Sequence, residues 1–195
     1  MEEKQSLDSD YFKKVYEASD DPWNFETSDY EAKKYAATIA ALPKTHYENT
    51  LEIGCSIGVL TQLLAQKSTR LLATDISEKA LELAQRRCKR SENVTFKKIH
   101  FKDELPDDQY DLIMVSEVAY YLSPGDWEKS IAALYKRLEI EGNIVLVHWL
   151  PEVHDYPQTG DGVHQTFEKL MKRKMTNVLS NRADTYRIDV WTKSC

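Results

Sequence analysis

The chain has 195 residues, 42% hydrophobic and 30% charged, with a formal net charge of -6. That length supports one domain with a sizeable core, and the composition is an ordinary soluble mix. The acidic balance and the lack of any block of Lys and Arg argue against binding along a phosphate backbone, so a small-molecule partner is expected and nucleic acid is not.

The N-terminus, Met1-Glu2-Glu3-Lys4-Gln5-Ser6, lacks the basic and apolar regions of a signal peptide. The most apolar run, residues 144–150, is far short of the ~20 residues needed to span a bilayer. A cytoplasmic protein without a membrane partner is expected, as a monomer or a homodimer. A short helix is predicted over 11–18, then a break at Asp20-Asp21-Pro22-Trp23. Tyr35, Ala36, Ile39 and Leu42 give a second helix, 30–42, one buried face, and Pro43 ends it.

Strands and helices then alternate. Strands are predicted over 50–53, 71–74, 94–97, 110–116 and 144–149. The run Leu112-Ile113-Met114-Val115 suits a strand covered on both faces. Helices are predicted over 59–65 and from a Ser77 cap to about residue 88. Ser123-Pro124-Gly125-Asp126 starts another, with Trp127, Ile131, Leu134 and Leu138 on one face. Glu141-Gly142-Asn143 reads as a turn. A loop over 150–162 leads to a helix over 163–172 capped by Asp161, then to strands over 176–180 and 186–192 joined at 181–184. This order implies a mostly parallel seven-stranded α/β sheet with helices on both faces and a C-terminal antiparallel hairpin. One domain, 1–195, is expected: a helical cap (1–45), a cofactor-binding core (46–150) and an acceptor-side loop, helix and hairpin (151–195).

Glu52-Ile53-Gly54-Cys55-Ser56-Ile57-Gly58, with Asp75 seventeen residues beyond Gly58, is a strand, a glycine turn, a helix and a second strand ending in a carboxylate. That layout suits the ribose of an adenosine-type cofactor at the carboxyl edge of a parallel sheet. The spacing E-x-G-x-x-x-G differs from the dinucleotide fingerprint, which disfavours a nicotinamide-dependent oxidoreductase. Gly54 and Gly58 allow close approach and positive φ, Cys55 is a small residue in the turn, and helix-start N–H groups there can receive a carboxylate. Asp75 can accept hydrogen bonds from two vicinal hydroxyls, and Ile76 would pack on adenine.

The motif resembles motif I of the class I S-adenosylmethionine-dependent methyltransferases. Asp21-Pro22-Trp23, Tyr30-Glu31, Lys34-Tyr35 and Ser116-Glu117-Val118-Ala119-Tyr120-Tyr121-Leu122 are similar to segments of the NodS-like methyltransferases. The resemblance is strongest over 21–150. It implies S-adenosyl-L-methionine as cofactor. It also implies that Glu52 holds the turn and the methionyl ammonium, and that Trp23, Tyr30 and Lys34 close over the cofactor, Lys34 pairing with its carboxylate. Family members often carry an acidic residue after the third strand for the adenine amino group. Here His100 stands there beside Phe101, with Asp103 close by. The NodS family methylates the free amine of a deacetylated chitooligosaccharide, so the resemblance implies an amine or sugar acceptor.

Methyl transfer needs an aligned nucleophile with a free lone pair. Glu117, Tyr120, Tyr121 and Ser116 follow or end the fourth strand. Glu117 is read as substrate-orienting residue or base, and the tyrosine faces as stabilising a sulfonium by cation–π attraction. His148 ends the fifth strand and is the preferred proton acceptor. Residues 148–164 hold three histidines and two aspartates but no E-x-x-H or H-x-x-x-H pair, so no metal is expected and the loop is read as a wall of the acceptor pocket. The three cysteines, Cys55, Cys88 and Cys195, give neither a disulfide framework nor a metal pattern. The leading reading is methyl transfer to a small molecule, with N-methylation preferred to O-methylation. The alternatives are an O-methyltransferase of a small metabolite or sugar and a binding protein that kept the cofactor fold without its chemistry.

Overall fold

The computed structural model describes residues 4–194. The readings placed on Met1-Glu2-Glu3 and on Cys195 lie outside the described residues, among which Cys55 and Cys88 are free thiols. The strands are β1 (Tyr47–Ile53), β2 (Ser68–Asp75), β3 (Val94–Lys98), β4 (Tyr110–Ser116), β5 (Leu138–Trp149), β6 (Met175–Arg182) and β7 (Tyr186–Lys193). The helices are α1 (Ser9–Ala18), α2 (Asp29–Ala40), α3 (Val59–Ala65), α4 (Glu78–Arg87), α5 (Pro124–Arg137) and α6 (Gly160–Met171). One sheet runs β3-β2-β1-β4-β5-β7-β6. Its pairs are parallel except β5 with β7 and β6 with β7. Strand order reverses between β1 and β4, which opens a crevice at their carboxyl ends.

Alternation along the central strands divides the core. Ile113 and Val115 of β4 join Leu51, Ile53, Ile144 and Leu146 on one face. Leu112 and Met114 join Val145, Val147, Leu60 and Leu64 on the other. The expected continuous apolar run is therefore a strand buried on both sides throughout. Ser77 caps α4 by accepting from the Ala80 N–H, and Ser123 caps α5 by accepting from Asp126, with Pro124 in the first turn. Trp127, Ile131 and Leu134 are fully buried, and the indole N–H of Trp127 donates to the Val163 carbonyl over 3.1 Å.

Three boundaries differ from the sequence expectation for identifiable reasons. β1 begins at Tyr47, because Asp111 accepts the Glu48 and Asn49 N–H groups at 2.9 Å and so anchors a polar strand start. β5 begins at Leu138, so Glu141-Gly142-Asn143 is not a turn but a bulge. Tyr110 pairs with Leu138 and Leu112 with Asn143, and Glu141 takes a φ of 59°. Asn143 is buried there between Tyr47 (3.0 Å) and Thr192 (2.8 Å). α6 begins at Gly160 and is capped by Thr159, not Asp161. Asp161 instead pairs with Arg182 at 2.8 Å. Gly160 is required because a Cβ would lie 2.2 Å from the Trp149 carbonyl oxygen.

Candidate active site

The crevice opens into a cavity of about 410 Å³ between the carboxyl edge of the sheet and the two N-terminal helices. Its floor is the glycine turn after β1. Gly54, Ser56 and Gly58 take φ values of 78°, 48° and 83°. A Cβ on Gly54 would stand 2.0 Å from Val118 Cγ1, so glycine lets the turn meet the loop after β4. The turn bonds to itself and to β2. The Gly54 and Cys55 N–H groups donate to the Thr74 carbonyl, Ser56 N–H donates to Asp75, and Gly58 N–H donates to the Cys55 carbonyl. These four N–H groups are therefore occupied within the turn and by β2.

Asp75 ends β2 at the cavity wall. Its Oδ2 accepts from Ser56 N–H (2.9 Å) and its Oδ1 from Ser77 N–H (2.8 Å). Burial raises its pKa, and those backbone bonds oppose the rise. Each oxygen keeps a lone pair for a hydroxyl. Ile76, Ile99 and Phe101 supply apolar wall next to it. His100 is also in the wall, its Nδ1 3.0 Å from Asp103 Oδ2. Burial lowers the His100 pKa. With Nδ1–H donating to Asp103, the neutral ring presents Nε2 as an acceptor.

The opposite wall comes from α2 and the loop after β4. Lys34 is 2% exposed and lies between Glu31 (3.0 Å) and Glu117 (2.5 Å). Burial disfavours its charge, but Glu117 and Glu31 outweigh that and raise its pKa. It is thus engaged by two side-chain carboxylates, where a cofactor carboxylate was expected. Glu117, at a φ of 57°, also accepts from the Tyr120 hydroxyl (2.5 Å) and the Trp149 N–H (2.9 Å). Both Glu117 oxygens are therefore engaged, Oε1 by Lys34 and Oε2 by Tyr120 and Trp149. Ser116, Tyr120 and Tyr121 line the cavity. Burial raises both tyrosine pKa values well above 10, so both hydroxyls stay protonated. Trp23 and Tyr30 line it too. Trp23 stacks on Phe25 at 5.5 Å, and Tyr30 sets its hydroxyl 2.8 Å from Thr185 Oγ1.

Four predicted residues do not line the cavity. Glu52 is 1% exposed beneath the turn, with no partner for Oε2, and burial pushes its pKa up to about 8. Cys55 packs with Ala73, Leu81 and Ala84. Gly58 serves helix packing, since a Cβ there would stand 3.0 Å from Ala84. His148 is fully buried. Its Nε2 is 3.2 Å from the Ala119 N–H and its Nδ1 3.2 Å from His164 Nε2, so it cannot take a proton from a bound acceptor. Of the other histidines of 148–164, His164 is buried between His148 and Asp189, and His154 stands apart, exposed beside Asp155. Among the described residues, no three His, Cys, Asp or Glu could hold a metal.

Several lining residues were not singled out in the sequence, Tyr16 and Phe12 of α1 among them. Tyr16 of α1 places its hydroxyl 2.6 Å from Ser56 Oγ, directly over the glycine turn. Phe12, one helical turn earlier, packs edge-on to Tyr121 at 4.9 Å. Their i, i+4 spacing was the available signal. Tyr156, in the loop expected to wall the acceptor pocket, lines the cavity and stacks on Tyr120 at 4.9 Å.

The sheet order, the glycine turn and the carboxylate ending β2 define a class I methyltransferase fold. The chain belongs to the nodulation protein S (NodS) family, whose family model matches residues 5–145. Nodulation protein S of Rhizobium tropici is 28% identical over 130 residues, 66% of this chain and 55% of that protein. The Bradyrhizobium diazoefficiens protein of the same name is 32% identical over 106 residues, 54% of this chain and 51% of that one. The chain thus spans about half the length of these curated relatives. The N-methyltransferase NodS from Bradyrhizobium japonicum WM9, solved in complex with S-adenosyl-L-homocysteine, superposes with a TM-score of 0.83. It is 21% identical, over 95% of this chain and 97% of that one, and shares the fold. Among the described residues no helix is long and apolar enough to cross a membrane.

Proposed function

We propose that this chain is an S-adenosyl-L-methionine-dependent methyltransferase acting on a small-molecule acceptor, with nitrogen preferred to oxygen. The observation that carries the reading is Asp75, buried at the carboxyl end of β2 beside the switch-point crevice with one lone pair open on each oxygen, next to apolar walls and the His100 acceptor. That donor and acceptor set fits an adenosine: two ribose hydroxyls on Asp75, the ring between Ile76 and Phe101, the adenine amino group on His100 Nε2. Membership of the NodS family supports a methyl donor over a dinucleotide. When bound, the cofactor supplies a sulfonium-activated methyl group.

The chain's own part is to orient and to exclude water. Tyr120, Tyr121 and Tyr156 close the far end of the cavity with aromatic surface. The carboxylates facing it are each held by donors: Asp75 by two backbone amides, Glu31 by Lys34, and Glu117 by Lys34, Tyr120 and Trp149. An amine arriving with its lone pair free needs no proton removed before attack, whereas a hydroxyl does. This preference for an amine rests on the same wall residues. We place the enzyme in the cytoplasm, and a free metabolite rather than nucleic acid as its acceptor accords with the net charge of -6.

Calorimetry with S-adenosylhomocysteine and with NAD is the first test; binding of NAD alone overturns the reading. Transfer is then followed as S-adenosylhomocysteine formation with ethanolamine, benzylamine and glucosamine. Cofactor binding without turnover of any of the three points to the binding-protein alternative.

A further inference from the structure

We infer that His148, His164 and Asp189 form a one-way hydrogen-bond relay that positions the turn carrying Tyr120 and Tyr121, acting on the acceptor half of the site without touching it. The direction follows from the donors. A backbone N–H can only donate, so His148 Nε2, 3.2 Å from the Ala119 nitrogen, must present a lone pair. The proton of the neutral ring is then on Nδ1, 3.2 Å from His164 Nε2. That nitrogen must accept, which leaves the His164 proton on Nδ1, 2.8 Å from Asp189 Oδ2. Asp189 is fixed in turn by Arg187 (2.7 Å) and by the Ser180 hydroxyl (2.6 Å). The two histidines and the aspartate have no exposed surface.

The relay joins β7, α6 and β5 to the first N–H of the 3-10 turn Ala119–Tyr121. That turn sets Tyr120, whose ring lies edge-on to His148 at 5.3 Å and whose hydroxyl donates to Glu117. With the His148 acceptor gone, the Ala119 N–H is buried without a partner, and the turn must move to satisfy it. None of the three relay residues lines the cavity, so they are positioning residues. Which ring nitrogen is protonated is set by the partner of the other, so the aspartate on β7 dictates the tautomer two rings away.

The effect on transfer rests on the methyl-transfer reading; the tautomer does not, and the tests separate them. Nitrogen-15 NMR of the histidine rings at pH 7 is expected to find both buried histidines neutral, protonated on Nδ1 and bare on Nε2. His148→Phe fills the space without an acceptor, and His148→Gln offers an amide oxygen to Ala119. The phenylalanine variant should bind S-adenosylhomocysteine within about twofold of wild type, and its kcat/KM for the accepted amine should fall about tenfold, the worth of one buried hydrogen bond. The glutamine variant should recover most of that loss. A His148 protonated on Nε2 or cationic overturns the relay outright. So does a phenylalanine variant as active as wild type, or a glutamine variant no better than phenylalanine. Should His148→Phe not fold, the wild-type NMR result and His148→Gln still decide. Failure of wild type to bind S-adenosylhomocysteine overturns the methyl-transfer reading and leaves the tautomer result standing.

Discussion

Glu117 Oε1 stands 2.5 Å from Lys34 Nζ, joining α2 to the loop after β4 through side chains only 13% and 2% exposed. Glu31 faces the same ammonium at 3.0 Å, so one cation holds two carboxylates. Lys34→Met keeps the volume and removes the charge. It leaves both carboxylates without a cation, and a loss of roughly 3 kcal/mol is expected, as for other broken buried pairs. Urea unfolding measures it. Adding Glu31→Gln should restore about 1 kcal/mol by relieving one uncompensated charge. A double variant less stable than the single would contradict the triad.

Asp75→Asn preserves shape and one acceptor oxygen but removes the charge that would receive two hydroxyls. Affinity for S-adenosylhomocysteine should fall about tenfold to a hundredfold by calorimetry, the range for weakening charge-assisted hydrogen bonds. Unchanged affinity would remove Asp75 from the ribose site and with it the main support for an adenosine cofactor.

Gly54→Ala and Gly125→Ala separate a required glycine from a permissive one. At Gly54 a Cβ meets Val118 Cγ1 at 2.0 Å, and φ is +78°. Loss of about 2 kcal/mol or more and of cofactor binding is expected. At Gly125, in the first turn of α5, nothing lies within 4 Å. Alanine there should stabilise by roughly 0.5 kcal/mol. Thermal unfolding of the pair reads both signs at once.

The glycine turn was legible because its chemistry is local: two glycines, a strand before, a helix after, and a carboxylate ending the next strand. The bounds of α3 and β4 were legible for the same reason: α3 from the 3-4 spacing of Leu60, Leu63 and Leu64 after the glycine turn, β4 as a short continuous apolar run. β5 was misread because Glu141, Gly142 and Asn143 look like a turn in sequence, while Asn143 is held by Tyr47 and Thr192 from distant strands. Glu117 and Lys34 were singled out, but not their mutual pairing, which requires α2 to pack on the loop after β4. His148 was singled out as a base. Its true environment depends on Asp189, which no pattern near His148 announces.

Glu52 shows how far burial outweighs sequence position. It is 1% exposed, its Oε2 has no partner, and its pKa is pushed up to about 8 by burial. An acid whose folded pKa is raised binds more protons folded than unfolded. It therefore costs stability as pH rises from about 4.5 toward 8. Glu52→Gln should flatten that slope and be more stable than wild type at pH 9, by an amount on the order of 2 kcal/mol. Its affinity for S-adenosylhomocysteine should stay near wild type, since the side chain does not line the cavity. A large loss of affinity would restore the cofactor-holding role that the family resemblance implied.

Acid should act through the two relay histidines with the opposite sign. Burial lowers the pKa of both, and for His148 the facing His164 and Lys34 lower it further. For His164, the Asp189 carboxylate and Asp161 oppose the fall, while Arg187 adds to it. Tyr120 packs on His148 as an uncharged ring. A histidine whose folded pKa is depressed binds fewer protons folded than unfolded, so stability is lost as pH falls below about 6.5. Urea midpoints of wild type should drop steadily from pH 7 to pH 5. His148→Gln cannot take up that proton and should drop less over the same range. Equal slopes would mean that His148 titrates alike in the folded and unfolded chain, which its full burial between the Ala119 N–H and His164 does not allow.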